Sequence, residues 1–173
     1  DAKKLIIGTN DGYLEFDIPT TQVEISPDKK QVYLHIMVKE GDRFTFDEVA
    51  FDGDTLWPAE DLKKLVEFKK GEVFSRSAVI AAVNTITERY SDEGYAFVNV
   101  NAVPQVNAEK KTVGFTFLVD PGKRAYVRRV NVVGNEKTRD VVVRREVRKV
   151  ESGWFSGTAI KRSKTRLEQL GYF

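Results

Sequence analysis

One segment of this chain is written twice, and the copies are 81 residues apart. Lys39-Glu40-Gly41-Asp42-Arg43, followed by Phe46-x-x-Val49-x-Phe51-x-Gly53-Asp54, returns as Asp120-Pro121-Gly122-Lys123-Arg124, followed by Val127-x-x-Val130-x-Val132-x-Gly134-Asn135. In each copy a turn ends one strand, and an alternating apolar strand then runs to a second turn at Gly-Asp or Gly-Asn. The repeat extends further: Phe74-Ser75 recurs as Phe155-Ser156, and Gly94-Tyr95 as Gly171-Tyr172, with an earlier Gly12-Tyr13 marking a third copy. Self-similarity at a fixed period means an array of like units. A period of this length is too long for a solenoid repeat and is the size of a small domain.

The middle copy can be read in full. Its first strand is expected over Phe46–Phe51. A helix follows with Pro58 suited to the first helical position and Leu62, Leu65 and Val66 on one face. Ser75 is a candidate N-cap for a second helix, in which Val79, Val83, Ile86 and Tyr90 mark the buried stripe and Gly94 marks the end. A strand should then place Ala96, Val98, Val100 and Ala102 inward and Phe97, Asn99 and Asn101 outward, with Pro104 near its end. A polar turn over Asn107–Lys111 leads to a last strand carrying Val113, Phe115, Phe117 and Val119 on one face. The order strand, helix, helix, strand, strand lets the helices cover one face of a three-stranded sheet, an α+β module.

The flanking copies hold complementary parts of that order. Before the middle copy stands a hairpin, with Leu14, Phe16 and Ile18 alternating in one strand and Val32, Leu34, Ile36 and Val38 in the other. Pro19 interrupts the first strand and so marks an edge or a bulge. After the middle copy come a strand with Val127, Val130 and Val132, a helix with Thr138 as candidate N-cap and Val143 and Val147 inside, and a second helix from Ser156 with Ile160 and Leu167 as core candidates. Domain boundaries are therefore expected at 1–42, 43–121 and 122–173. From the apolar surface each leaves uncovered, either disorder at the two ends or pairing of one chain's hairpin with the C-terminal part of another, in a swapped self-association, is expected.

These motifs resemble the POTRA family: a Gly-Asn or Gly-Asp turn after the first strand, Gly-x-x-Phe before the second helix, Tyr-x-x-x-Gly-Tyr at its end, and Glu-Gly or Pro-Gly at the exit. With Gly94-Tyr95-Ala96 and the run Arg144-Arg145-Glu146-Val147-Arg148, the tandem copies look most like the POTRA region of outer-membrane β-barrel assembly factors, from the tail of the third domain through most of the fifth. A TamA-like protein or a two-partner secretion transporter is the alternative within that class. The resemblance implies a scaffold at the periplasmic face of a Gram-negative outer membrane that receives unfolded outer-membrane proteins and docks accessory lipoproteins. It also implies a membrane β-barrel C-terminal to these modules in the same chain.

The residues themselves support one part of this. Both first strands of the hairpins contain proline, Pro19 and Pro104, as a free sheet edge permits, and a free edge can capture an extended peptide through main-chain hydrogen bonds. The client-binding edge is expected along Ala96, Phe97, Val98, Asn99, Val100, Asn101, Ala102 and Val103. A partner surface is expected at Arg144, Arg145, Glu146, Arg148 and Lys149, where Glu146 falls on the position of Leu65 in the middle copy and puts an acid inside a basic field.

Charge is uneven: residues 1–122 carry 14 Lys/Arg against 21 Asp/Glu, a balance of −7, while residues 123–173 carry 14 against 5, a balance of +9. Such asymmetry raises a tandem nucleic-acid binder using Arg128, Arg129 and the 144–149 run. Against it, the sheet offers no repeated aromatic pair for base stacking and the first 122 residues are acidic, so no nucleic-acid partner is expected. His35 is the only histidine and stands on the outward side of a strand. Cysteine is absent, which excludes disulfides and thiolate metal sites. The carboxylates are scattered, and neither a phosphate loop nor a nucleophile motif occurs, so no enzyme and no cofactor is expected. Trp57 and Trp154 are expected to pack in cores.

Overall fold

The computed structural model describes residues 12–14, 16–26, 30–135, 138–147 and 150–171. The chain divides into two compact units. The described part of the first runs through Ala50 and takes up Val66–Ala81 and Val103–Thr116; the second holds Phe51–Leu65, Ala82–Ala102 and the chain from Phe117 onward. The division passes through the middle repeat, whose strands and long helix run through both units.

The hairpin is β1 (Phe16–Ile25) antiparallel to β2 (Val32–Glu40). Their register shifts between Asp17 and Thr20, so Pro19 sits at the irregularity where its missing N–H interrupts no ladder bond. Val23 faces Leu34, and Ile25 faces Val32. This apolar row is open: Leu34 is 63% and Ile36 40% exposed.

The middle repeat forms a three-stranded mixed sheet in the order β3 (Thr45–Gly53), β5 (Thr112–Asp120), β4 (Asn99–Asn107). Thr45 donates to the carbonyl of Lys111 and Asp54 to that of Val119, so β3 runs parallel to β5. The central strand is the most apolar, and Val113, Phe115, Phe117 and Val119 are all buried, as their alternation requires. Helix α1 spans only Ala59–Lys63. Pro58, with ψ of 145°, is the residue before the helix and not its first member, and Leu65 and Val66 follow the helix half-buried. Helix α2 (Arg76–Asp92) starts directly after Ser75, and Val79, Ala82, Ile86 and Tyr90 form its buried stripe, with Val83 at the margin.

Aromatic rings fill the core. In the first unit Phe46 stacks on Phe68 at 3.9 Å between ring centres and meets Phe74 and Phe115 at 5.5 and 6.1 Å. In the second, Phe51 stacks on Phe117 at 5.4 Å. Phe46 and Phe51 therefore both reach the inner face across an odd separation, so the alternation of β3 must break once between them. Tyr90 is fully buried; its hydroxyl accepts from the backbone of Leu56 at 3.2 Å, and Trp57 meets its ring edge-on at 4.8 Å.

β4 begins at Asn99, three residues later than Ala96, and Pro104 lies inside it. The delay has a local cause. Gly94 ends α2 in the left-handed region, Tyr95 donates back to Tyr90, and Ala96 donates to Gly94, so residues 94–97 make a turn before the chain extends.

In the C-terminal repeat, β6 (Tyr126–Val127) pairs antiparallel with β7 (Gly153–Trp154). The expected strand through Val132 is thus shorter: residues 128–133 are not in a strand, and among the described residues none lies beside them as β5 lies beside β3. Helix α3 (Asp140–Val147) starts two residues beyond Thr138, whose carbonyl instead accepts from the Asn135 amide. Helix α4 (Gly157–Gln169) is capped as expected by Ser156, whose Oγ accepts from Ala159. Val143 and Val150 are buried, but Ile160 is 38% exposed, and an apolar groove of about 710 Å³ opens between Val127, Val132, Val147, Ile160 and Leu167.

Candidate functional site

A sheet edge can receive a strand only if its outward N–H and C=O groups are unpaired. The two edges here differ. Along β3 the outer edge is taken at its start, because Phe46 donates to Glu72, Gly71 donates to Phe46, and Phe74 donates to Phe44 at 2.8, 2.8 and 3.0 Å. Along β4 no described strand lies beyond the edge. Its inner side is tied to β5, where Gln105 Nε2 also donates to Thr116 Oγ1 at 2.9 Å.

The expected edge residues fall in two groups. Asn99, Val100, Asn101, Ala102 and Val103 lie in β4, with Val100 buried, Ala102 half-buried and Asn99, Asn101 and Val103 exposed. Ala96, Phe97 and Val98 precede the strand, and the edge instead continues through Pro104 to Asn107. Phe97 is 80% exposed, so an aromatic ring stands at the entrance to the edge. Pro104 also fixes the polarity of the backbone. A strand proline survives where its missing donor would face outward, so Val100, Ala102 and Val106, which share its parity, turn their N–H groups to the open side, and Asn99 and Asn101 turn theirs to β5.

The described residues of the basic run make different contacts. Arg144 points to its own module: its Nε donates to Asp140 at 2.6 Å and its Nη1 to Glu151 at 3.2 Å, and the Asp140 carboxylate beside it raises the guanidinium pKa. Glu151 in turn accepts from the backbone of Val130. Arg145 is exposed and donates to Glu146 at 3.0 Å, while the Glu146 side chain is only 17% exposed. The slot shared with Leu65 thus keeps its burial after turning acidic. Arg148 and Lys149 lie outside the described residues.

A second constellation had no warning beyond residue type. Asp92, at the last position of α2, accepts from Ser156 Oγ at 2.9 Å, from the Thr158 backbone at 2.9 Å and from Thr158 Oγ1 at 2.7 Å. Burial pushes its pKa up, but the bonds from Thr158 and Ser156, with the Arg162 charge, outweigh that and hold the carboxyl below its ordinary value. The one sequence signal was an acid at a helix C-terminus, where the dipole disfavours it. Trp154 is 55% exposed rather than in a core, and the Arg124 guanidinium lies 4.5 Å over its ring. Trp57, half-buried on Tyr90, carries Arg89 at 5.0 Å. His35 is exposed, 3.6 Å from Glu24. Among the described residues no three His, Cys, Asp or Glu side chains converge to hold a metal ion, and no helix is long and apolar enough to cross a membrane.

This α+β architecture, with one complete β-α-α-β-β module, is matched by the POTRA family model, described as a surface antigen variable number repeat, over residues 44–122 and 125–173. The chain belongs to the POTRA family. It is similar to the outer membrane protein assembly factor BamA of Neisseria meningitidis serogroup B, 40% identical over 95% of this chain and 21% of that protein. The same factor of Buchnera aphidicola is 33% identical over 95% of this chain and 27% of that protein. Among solved structures, BamA POTRA3-5 of Haemophilus influenzae superposes with a TM-score of 0.88 at 28% identity, covering 98% of this chain and 67% of that one. The chain spans about a fifth to a quarter of the length of the curated relatives it matches.

Proposed function

We propose that this chain is the periplasmic receiving segment of an outer membrane protein assembly factor, made of a POTRA hairpin at 1–42, a full module at 43–121 and a third module from 122 onward. In this reading β4 captures extended strands of unfolded outer-membrane proteins by β-augmentation. The α3 surface docks an accessory lipoprotein subunit through Arg145, with Arg148 and Lys149, and a membrane β-barrel follows in the same chain. The reading involves neither catalysis nor a cofactor. It rests on the names of the relatives together with one observation: the edge of β3 is occupied at its start, while among the described residues no strand lies beyond that of β4, which is flanked by an exposed Phe97.

Main-chain capture tolerates many sequences, because the bonds are made by backbone and the side chains need only alternate. Unrelated outer-membrane-protein strand peptides should therefore bind weakly and comparably, and reordering their residues should matter little while alternation survives. Amide chemical-shift mapping with such a peptide is expected to perturb 99–107 and the flanking 96–98. Shifts confined to residues 144–149, with none along β4, would show that clients are held by charge.

A further inference from the structure

The 81-residue period reproduces one contact bond for bond. In the middle repeat the turn before α2 lies along the start of β3, where Gly71 donates to Phe46 at 2.8 Å and Phe74 to Phe44 at 3.0 Å. In the C-terminal repeat Ser152 donates to Val127 at 2.8 Å and Phe155 to Ala125 at 2.9 Å, each 81 positions after its counterpart. The directly opposed residues match as well, Thr45 with Val73 and Tyr126 with Trp154. Even the left-handed residue of the turn is kept, Gly71 with φ of 89° and Ser152 with 59°. The backbone therefore gives a turn no means of telling its own strand from that of the other repeat. Chain length adds little. Gly71 follows Phe46 by 25 residues, as Ser152 follows Val127, and Val127 follows Gly71 by 56, so loop closure favours the correct pairing only about threefold.

The side chains beside these bonds carry opposite signs in the two copies. In the middle repeat the turn is cationic and the strand anionic: Lys70 Nζ pairs with Asp47 Oδ1 at 2.8 Å and with Glu48 Oε1 at 3.3 Å. Its hydrogen bond holds the Asp47 carboxyl below the ordinary value. Shifted by 81 residues, Lys70 becomes Glu151, and Asp47 and Glu48 become Arg128 and Arg129. All three signs are reversed. Glu151 Oε1 accepts from the backbone of Val130 at 3.1 Å, and its Oε2 accepts from Arg144 at 3.2 Å. A turn laid on the wrong strand loses all of this. Lys70 would meet Arg128 and Arg129 and, having donors only, would leave the Val130 N–H and Arg144 without their acceptor. Glu151 would meet Asp47 and Glu48.

Lys70 and Glu48 are exposed, so their pairing adds little to stability. Its effect lies in the pairing it opposes, because like charges set opposite each other destabilise, and tandem copies of one module are prone to misassembly. We propose that Lys70 with Asp47 and Glu48, and Glu151 with Arg128 and Arg129, form a charge code that directs each turn to the strand of its own module as the chain folds. The code operates whatever the modules bind.

The test is disulfide trapping of the wrong pair. In a Val73→Cys/Tyr126→Cys chain the only two cysteines each stand opposite a different residue in the folded protein, and they come within disulfide reach when the middle turn lies on the C-terminal strand. The chain is unfolded in denaturant and refolded by dilution at low ionic strength under mild oxidant, and the internally linked fraction is compared with that of the never-unfolded chain. Asp47→Arg/Glu48→Arg/Lys70→Glu gives the middle repeat the signs of the C-terminal one, so its own seat stays complementary and the crossed seat becomes so. The linked fraction should then rise about tenfold, because two exposed contacts turn from repulsive to attractive. Asp47→Asn/Glu48→Gln/Lys70→Gln removes the charges and should give a smaller rise; an equal one would assign the effect to weakened home pairing and overturn the proposal. A fraction that stays at the parent level in the folded charge-reversed variant overturns it as well. Should that variant fail to fold, the parent decides alone: about 1 M salt screens the repulsion and should raise its linked fraction, and a fraction unmoved by salt overturns the code.

Discussion

Gly53 shows how one position can decide a module. It closes β3 with φ of 92°, and a Cβ there would stand 2.3 Å from the carbonyl oxygen of Val119, an atom already accepting from Asp54. Neither the backbone oxygen nor the paired strands can retreat. Gly53→Ala should cost at least about 3 kcal/mol from left-handed strain and overlap together, read as a lowered denaturant midpoint; a change within experimental error would mean the turn relaxes freely. Asp92 gives a pH-dependent counterpart. Its folded pKa is lowered from 3.8, so the stability it contributes is present above that value and lost as pH falls through the lower folded one. The thermal midpoint of Asp92→Ala should therefore lie below that of the parent chain at neutral and mildly acidic pH, and the two should converge below 3.8. A gap that persists in that acid range would assign the effect to packing and not to the charge. Glu146→Lys, taken as a surface change, should hardly alter stability; but its side chain is mostly covered and paired with Arg145, so a lowered midpoint is expected before any loss of partner affinity.

Among the elements, β4 shows what a strand's own residues reveal and what they leave to its neighbours. Inward Val100 and Ala102 with outward Asn99 and Asn101 were legible from alternation, and Pro104 marked the edge, because both follow from local backbone geometry. The starting residue was not, since the turn from Gly94 to Phe97 is held by bonds back to the end of α2. The parity set by Pro104 gives a paired test. Ala102→Pro removes an outward donor and should abolish peptide capture with the fold retained, whereas Asn101→Pro removes a donor to β5 and should lower the unfolding midpoint. If both variants unfold alike, or Ala102→Pro still captures peptide, the assigned polarity is wrong. β6 makes the same point from the other side: the Val127, Val130, Val132 pattern matches Phe46, Val49, Phe51, but a strand is completed by its neighbour, and residues 128–133 have no described one.

For the whole molecule, the period that defines the modules also identifies the two faces left open. Shifted by 81 residues, Val32, Leu34 and Ile36 fall on Val113, Phe115 and Phe117, which are 0, 6 and 0% exposed, and Val127 and Val132 in the C-terminal groove fall on Phe46 and Phe51. The open hairpin row is therefore the counterpart of what fills such a groove in the middle module. Sedimentation velocity over a concentration series should show this chain self-associating, and Leu34→Glu, at a site already exposed in the monomer, should suppress the association without lowering stability. A chain that stays monomeric at the highest concentration contradicts the swapped pairing.

The period, the alternations, the α2 stripe and the Ser156 cap could be read from residues alone, because each depends on spacing along one stretch of backbone or on a side chain three residues from its partner. By itself the sequence determined that the chain is a series of α+β modules and that the middle one places a hairpin after two helices. Only the tertiary structure decided which sheet edge is taken at its start and which has no described strand beyond it, that Arg144 is spent on Asp140 and Glu151 while Glu146 is covered, and that Trp154 lies exposed under Arg124 and not in a core. These depend on which groups arrive within reach in space, Arg144 and Asp140 from one helix turn, Asp92 and Thr158 from 66 residues apart; that is set by how side chains and elements pack, and periodicity within a segment carries no information about it.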